Sequence, residues 1–169
     1  MPWRPMTSRD LDAVQTVADR VHRDHPEERE VFVERLRLYG QGCHVLAEDG
    51  EVLGYALTHP WRFAEPPPLN SRLGDIPRDA ATYYVHDLAL LPEGRGRGHA
   101  GVIARMLADH ARAQGFGTLS LVAVNGSQTF WKRLGFREEA VPGLETKLLS
   151  YGSDAAFMVR DLTEAGGLR

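Results

Sequence analysis

The chain has 169 residues, 43% of them hydrophobic and 25% charged, and its formal net charge at pH 7 is −3. This length favours a single α/β domain over residues 1–169, and the charge balance gives no reason to expect nucleic acid as a partner. Cys43 is the only cysteine, which excludes an intrachain disulfide and a CxxC metal site.

Two helices are predicted in the first quarter of the chain. One covers Thr7 to Arg23, because apolar residues recur there at three- and four-residue intervals: Leu11, Val14, Ala18 and Val21. The second is predicted to start at Pro26, which two glutamates follow, and to end at Gly40 and Gly42.

A hairpin and a long loop follow the helices. The segment CHVLAEDGEVLGYALTHPW predicts two strands joined at Asp49-Gly50, a strong hairpin signal. From Arg62 to Thr82 four prolines and a glycine exclude regular structure over most of the span. Loops of this length are often functional, and a surface excursion without a role is the open alternative.

The second half of the chain predicts a βαβ unit. Tyr83 to Leu91 is a strand rich in aromatic and aliphatic residues, a helix follows, and Thr118 to Asn125 is a second buried strand. This order implies parallel pairing of the two strands. A short helix ending at Gly135 and two further strands, Glu145 to Ser150 and Ala155 to Leu162, complete the prediction.

The loop between the strand and the helix of this unit alternates arginine with glycine. Unpaired backbone N–H groups and the positive end of the helix dipole point to one place there. Gly96 and Gly98 let a ligand approach the backbone, and Arg95 and Arg97 suit bidentate contacts with phosphate. No GxxxxGK[ST] motif is present, and the strand lies late in the chain for a dinucleotide-binding fingerprint, so the alternatives are a phosphate or pyrophosphate cradle and a simple turn.

Here the sequence resembles the GCN5-related N-acetyltransferase (GNAT) superfamily. Its acetyl-CoA signature, a strand running into [RQ]xxGx[GA], is matched by Arg95, Gly98 and Ala100 after the strand residues LAL. A second element, an asparagine after the next strand and then an aromatic pair before GF, is matched by Asn125, Phe130, Trp131, Gly135 and Phe136. The tail LLSYGSDAAFMVRDL resembles the closing hairpin strands of the family.

The resemblance implies a binding site for acetyl-CoA. The backbone of Leu88, Ala89 and Leu90 would bind the pantetheine arm and stabilise the thioester oxyanion. Asn125 would contact the pantetheine, and Phe130 and Trp131 would line the sulfur end. The pyrophosphate would be held by the N–H groups of the loop, namely Arg95, Gly96, Arg97, Gly98, His99 and Ala100.

The resemblance also exposes one departure from the family pattern. Four residues before the glycine of GF the family often carries a tyrosine that returns a proton to the leaving thiolate. This chain has Trp131 there, and an indole N–H is not a usable acid. The proton must come from water or another residue, or its return is dispensable.

The strand segment YYVHDLAL supplies candidates for a general base. An amine acceptor must lose a proton before it attacks a thioester. Side chains alternate, so Tyr84 and His86 share one face and Asp87 lies on the other. His86 is the predicted catalytic base, with Tyr84 as relay, at positions where arylalkylamine-type members of the superfamily carry two histidines. The alternatives are a buried histidine satisfied by a neighbour such as Asp87, and deprotonation through water.

Three further residues have side chains that could take part in catalysis or metal binding. His59 either faces the acceptor pocket or is an ordinary histidine at a strand end. His22 has no partner at metal-binding spacing, so no metal site is expected. Cys43 is expected to pack as a small hydrophobic residue.

The resemblance implies a mixed, mostly antiparallel central sheet flanked by helices on both faces. The activity it implies is acetyl transfer from acetyl-CoA to a primary amine of a small molecule, by direct attack in a ternary complex. A protein amino terminus or lysine as acceptor stays open, as does a non-catalytic acyl-CoA-binding protein. Neither a leader nor a membrane span is evident, so a cytoplasmic protein is expected, and a homodimer is an open alternative.

Overall fold

The computed structural model describes residues 2–23 and 27–163. Contacts between residues divide the chain into two units, each built from three segments. The first unit comprises Met1–His59, Leu69–Ile76 and Val85–Ile103; the second comprises Pro60–Pro68, Pro77–Tyr84 and Ala104–Arg169. A single domain over residues 1–169 stays a prediction.

The described residues form five α-helices and seven strands. The helices are α1 (Leu11–Val21), α2 (Arg29–Tyr39), α3 (His99–Ala113), α4 (Gln128–Arg133) and α5 (Glu145–Leu149). The strands are β1 (Trp3–Pro5), β2 (Cys43–Glu48), β3 (Glu51–Trp61), β4 (Thr82–Leu90), β5 (Thr118–Ala123), β6 (Arg137–Glu138) and β7 (Ala156–Asp161). No helix in these described ranges is long and apolar enough to cross a membrane.

The first unit contains the predicted hairpin. Strand β2 pairs antiparallel with β3 and, on its other side, with β1, and β4 is the neighbour of β3. Asp49 and Gly50 have φ values of 54° and 80°, which a two-residue hairpin turn with two left-handed residues requires. The hairpin prediction is therefore confirmed, together with its turn.

The second unit contains the predicted parallel pair. Tyr83 and Tyr84 of β4 pair with Leu119 and Ser120 of β5 in parallel. Strand β7 pairs antiparallel with β5, and β6 pairs antiparallel with β7. The seven strands form one mixed, mostly antiparallel sheet, and the same chain contains five α-helices, so the predicted fold class is confirmed.

The helix boundaries differ slightly from those predicted. A 3₁₀ turn at Ser8–Asp10 precedes α1, because the Asp10 carboxylate accepts the N–H of Thr7 at 2.8 Å and two N–H groups of Arg4 at 2.8 Å each. The predicted start of the second helix at Pro26 lies outside the described residues, and α2 begins at Arg29. Residues 62–81 contain neither helix nor strand.

The prediction of a strand over Glu145 to Ser150 is wrong, because this segment forms the helix α5. Leu144 and Leu148, four residues apart, pack in a cluster with Phe157. The helix brings both leucines onto one face, one turn apart. The two short strands β1 and β6 were not predicted.

Candidate active site

Strand β4 carries His86 into the interior of the first unit. Its side chain is 3% exposed, and its Nε2 lies 2.9 and 3.1 Å from the two carboxylate oxygens of Glu27. Asp87 was the suggested partner from the sequence, and that suggestion is wrong. Asp87 points to other groups, since neighbouring side chains of a strand lie on opposite faces. His86 is thus half of a buried histidine–carboxylate pair.

Glu27 lies in the segment before α2 and is 8% exposed. Burial raises the pKa of its carboxyl, but the charge and hydrogen bond of His86, the N–H of Asn70 at 3.0 Å and the charge of Arg35 outweigh that effect and lower the pKa to about 2. The carboxylate is therefore ionised at neutral pH, and it holds the His86 ring through Nε2. This is the arrangement by which a carboxylate orients a catalytic histidine and stabilises the charge that the ring gains on taking a proton.

The low pKa of Glu27 predicts a loss of stability in acid. The pKa of its carboxyl falls from an ordinary value of 4.5 to about 2 on folding. A depressed folded pKa stabilises the native state above the unfolded value, and this contribution disappears as the pH falls from about 4.5 to 2. We expect the unfolding free energy of the native protein to fall by about 3 kcal/mol more than that of Glu27→Gln over this range.

The measurement is urea unfolding of both proteins at a series of pH values between about 2 and 7. Glu30→Gln is the matched control, because Glu30 lies on the exposed side of α2. The control should keep the acid dependence of the native protein. Parallel curves for the native protein and Glu27→Gln would contradict the ion pair.

A second histidine–carboxylate pair lies on the other face of β4. The Nε2 of His22 is 2.9 Å from Asp87 Oδ1, and the hydroxyl of Tyr55 donates to Asp87 Oδ2 at 2.5 Å. Burial lowers the pKa of His22, but the charge and hydrogen bond of Asp87 and the charge of Glu27 raise it overall. Burial and Asp87 raise the pKa of Tyr55, so this tyrosine stays protonated. The sequence indicated only that His22 has no partner at metal-binding spacing, because Asp87 lies 65 residues away in the chain.

His59 lies beside His86, with a ring-centroid separation of 6.5 Å and an angle of 36° between the rings. It is 1% exposed, so it is a core residue of the first unit. Its role towards an acceptor stays a prediction. Tyr84, two residues before His86 in the chain, is 3% exposed, and its role as a relay also stays a prediction.

The strand segment predicted to bind pantetheine ends next to the Arg/Gly loop. Ala89 is 2% exposed, and its carbonyl oxygen would lie 2.6 Å from a Cβ at Gly54, so only glycine lets β3 approach this closely. The carbonyl of Leu90 accepts a hydrogen bond from Arg95 Nε at 3.0 Å. This bond holds the Nε end of the Arg95 guanidinium at the end of β4, and the residue remains exposed.

The Arg/Gly loop reverses the chain through two left-handed glycines. Gly96 and Gly98 have φ values of 79° and 80°, and a Cβ at either would meet nothing within 4 Å. The first helical hydrogen bond of α3 runs from Val102 N–H to the Gly98 carbonyl at 3.2 Å. The N–H groups of His99 and Ala100 therefore belong to the first helical turn, where an anion can accept them. The loop has the geometry of an open anion cradle.

The two arginines of the loop differ in their partners. Arg97 donates to Glu48 at 2.6 Å and to the Glu93 carbonyl at 3.0 Å, so its charge is already paired. His99 Nε2 lies 3.7 Å from the same Glu48, and its carbonyl accepts the indole N–H of Trp3 at 2.9 Å. Of the two guanidinium groups, that of Arg95 is therefore better placed to meet a phosphate.

The remaining predicted cofactor residues lie in the second unit. Asn125 has a φ of 55° and is exposed directly after β5. Phe130 packs edge-on against Trp131 with ring centroids 5.0 Å apart, and Trp131 packs in the same manner on Phe136 at 5.4 Å. Trp131 is 9% exposed and holds the short helix α4 in place through these contacts.

The described residues offer neither a reactive cysteine nucleophile nor a group of side chains that could bind a metal ion. Burial raises the pKa of the Cys43 thiol to about 12, partly offset by the charge of Arg35, so its thiolate is scarce at neutral pH. No group of three or more His, Cys, Asp or Glu side chains within residues 2–23 and 27–163 could hold a metal ion.

Residues 9–136 match the model of a family described as the acetyltransferase (GNAT) family. No curated protein sequence matches the chain. Among solved structures, the GNAT-like decarboxylase GphF in complex with isobutyryl-CoA has a TM-score of 0.77 at 14% identity, with 96% of this chain and 100% of that chain covered.

Two other similar structures are named for different acceptors. N-acetylglutamate synthase from Neisseria gonorrhoeae, complexed with coenzyme A and N-acetyl-glutamate, has a TM-score of 0.68 at 20% identity and covers 96% of this chain and 35% of that chain. The ribosomal-protein-S18-alanine N-acetyltransferase from Escherichia coli has a TM-score of 0.65 at 20% identity, with 97% and 95% covered. At these identities the likeness shows the fold.

Proposed function

The chain belongs to the acetyltransferase (GNAT) family, and from that premise we propose that it moves the acetyl group of acetyl-CoA to a primary amine of a small molecule. The observation that carries this proposal is the buried pair of His86, on β4, and Glu27, before α2, in which Nε2 of the histidine lies 2.9 Å from Oε1 of the glutamate. A base is what an ammonium acceptor needs before it can attack an acyl donor.

The Arg/Gly loop fits the pyrophosphate of the donor. Two left-handed glycines with open space around them, the N–H groups at the start of α3 and the guanidinium of Arg95 are the groups that would contact it. When bound there, acetyl-CoA supplies an acetyl thioester that an amine can attack. The backbone from Leu88 to Leu90 would hold its pantetheine arm.

In the proposed mechanism His86 accepts a proton from the ammonium form of the acceptor. Glu27 keeps the ring in place and stabilises the positive charge on it until the proton passes to solvent. The free amine then attacks the thioester carbonyl directly, the C–S bond breaks to release the thiolate of CoA, and the second proton lost by the nitrogen passes to solvent. The raised pKa of Cys43 argues against an acetyl-cysteine intermediate. Trp131 contributes packing rather than a proton, so the leaving thiolate departs without help from this position.

A small acceptor is favoured over a protein by the long loop after β3. Its segment Leu69–Ile76 is held on α2 by buried hydrogen bonds near Glu27, for example from Leu73 and Gly74 to Glu34 at 2.6 and 3.0 Å. Such a covered surface leaves less room for an extended peptide.

The experiment is a thiol-release assay with acetyl-CoA and a panel of amino acids, monoamines, polyamines and peptides. We expect release that depends on a small primary amine, and initial-rate lines that intersect, as a ternary complex requires. Parallel lines would indicate a covalent intermediate. Release with peptides alone would identify a protein acceptor, and binding of acetyl-CoA without release would identify a non-catalytic binder.

A further inference from the structure

A segment of the long loop is bound to α2 by an unusual number of polar contacts. This segment, Leu69–Ile76, is called the strap. Asn70 makes one hydrogen bond with each of two consecutive glutamates. Its N–H donates to Glu27 Oε2 at 3.0 Å, and its Oδ1 accepts the backbone N–H of Glu28 at 2.8 Å. Asn70 adopts a φ of 51°, a left-handed conformation in which asparagine is enriched. One residue of the strap thus caps the start of α2 and binds the candidate carboxylate.

Glu34, seven residues after Glu27 in the chain, binds the later part of the strap. Its two carboxylate oxygens accept the N–H groups of Leu73 at 2.6 Å and Gly74 at 3.0 Å. Arg35 donates to Glu34 at 3.1 Å and to the Ser71 carbonyl at 3.1 Å. Hydrogen bonds to an ionised carboxylate are stronger than those between neutral groups.

The burial of these groups commits the strap to its position. Glu34 is 5% exposed and Arg35 2% exposed, although both are charged side chains. A buried charge is costly unless hydrogen bonds satisfy it, and the strap supplies two of those that Glu34 accepts. Undocking would therefore leave charged groups on α2 without these partners, which favours the docked arrangement.

Glu27 connects the strap to the candidate base. Its Oε1 and Oε2 lie 2.9 and 3.1 Å from His86 Nε2, and Oε2 also accepts the N–H of Asn70 at 3.0 Å. One carboxylate thus joins a loop residue to a strand residue 16 positions further along the chain. Because both contacts with His86 converge on a single ring nitrogen, the Asn70 N–H is a second, independent anchor that restricts the rotation of the Glu27 side chain.

We propose that the strap is a positioning element for His86: docked through Glu34 and Arg35, it holds the Glu27 carboxylate against the ring. Glu34 is then a positioning residue that acts through the strap and Glu27. The assignment of His86 as base rests on the proposed function. The docking of the strap and the orientation of the ring do not, and both are measurable without turnover.

The test compares Glu34→Gln with the native protein in three readouts. Amide hydrogen exchange of Asn70, Leu73 and Gly74 should rise at least tenfold, because a neutral amide accepts these hydrogen bonds more weakly. The ring N–H resonance of His86, assigned with His86→Gln, should broaden or disappear as Glu27 loosens. The kcat for the best amine should fall about tenfold with little change in KM for acetyl-CoA.

Two further variants make the test decisive. Glu30→Gln on the exposed side of α2 should leave all three readouts unchanged. Leu73→Pro removes one N–H that binds Glu34 without changing the helix. It should reproduce the effects of Glu34→Gln on the exchange of Asn70 and Gly74, on the His86 resonance and on kcat, even if Glu34→Gln folds poorly.

Each result decides one part of the proposal. Unchanged exchange in both strap variants would overturn the docking, and faster exchange with an unchanged His86 resonance would overturn the positioning. If the native protein transfers no acetyl group, the proposed function fails, while the exchange and ring resonance still decide the strap.

Discussion

Replacing His86 with glutamine should lower kcat/KM for the amine by about 10²- to 10⁴-fold, the usual contribution of a positioned general base. Glutamine fills a similar volume and can still hydrogen-bond to Glu27, but it cannot take a proton. The affinity for acetyl-CoA should stay within about threefold of the native value, because His86 contributes nothing to the loop that holds the pyrophosphate. Steady-state rates over a range of pH and calorimetric titration with acetyl-CoA measure the two effects separately.

His22→Gln is the matched control for this experiment. His22 also pairs with a carboxylate at 2.9 Å, but its side chain is 23% exposed, against 3% for His86. We expect the control to keep the native rate within a few fold. If His22→Gln loses the activity and His86→Gln keeps it, the proton is taken by the pair of His22 and Asp87 instead. If both variants stay active, water carries the proton.

The strands and turns of the fold follow from local sequence. The Asp49-Gly50 turn was predicted because both residues tolerate a positive φ. The segment Glu145–Leu149 was assigned wrongly because a run of five residues is too short to separate a period of 2 from one of 3.6. Its helical form depends on packing of Leu148 near Phe157, which local sequence does not contain.

The candidate site was also predictable only in so far as it depends on local sequence. The alternation of β4 identified His86, but its partner Glu27 is 59 residues away in the chain. No local pattern brings those two together. One signal was present: Glu27, just before α2, and Glu34, within it, lie seven residues apart on the side of the buried Val31. Buried acids at such spacing indicate a polar partner. That partner is the loop after β3, which contains neither helix nor strand, so no periodic pattern in its sequence could predict the contact.

The donor site gives the second large expected effect. Gly98→Asp should weaken the binding of acetyl-CoA at least 100-fold. The φ of Gly98 is 80°, which costs a residue with a Cβ about 1–2 kcal/mol, and the new carboxylate would stand where a pyrophosphate is expected. Arg95→Ala should weaken binding about 10- to 100-fold through loss of a charge-assisted contact. Arg97→Ala should have an effect of about threefold or less, because Arg97 is held by Glu48 at 2.6 Å.

Gly50→Asp separates strain from repulsion in this experiment. Gly50 has the same φ of 80° and the same open space around a Cβ, but it lies in the hairpin turn between β2 and β3. The two aspartate variants should lose similar thermal stability, and only Gly98→Asp should lose acetyl-CoA in a calorimetric titration. An equal loss of binding would attribute the effect to the backbone alone. Native binding by Gly98→Asp would reduce the Arg/Gly loop to a turn between a strand and a helix, and the donor would have to be held elsewhere.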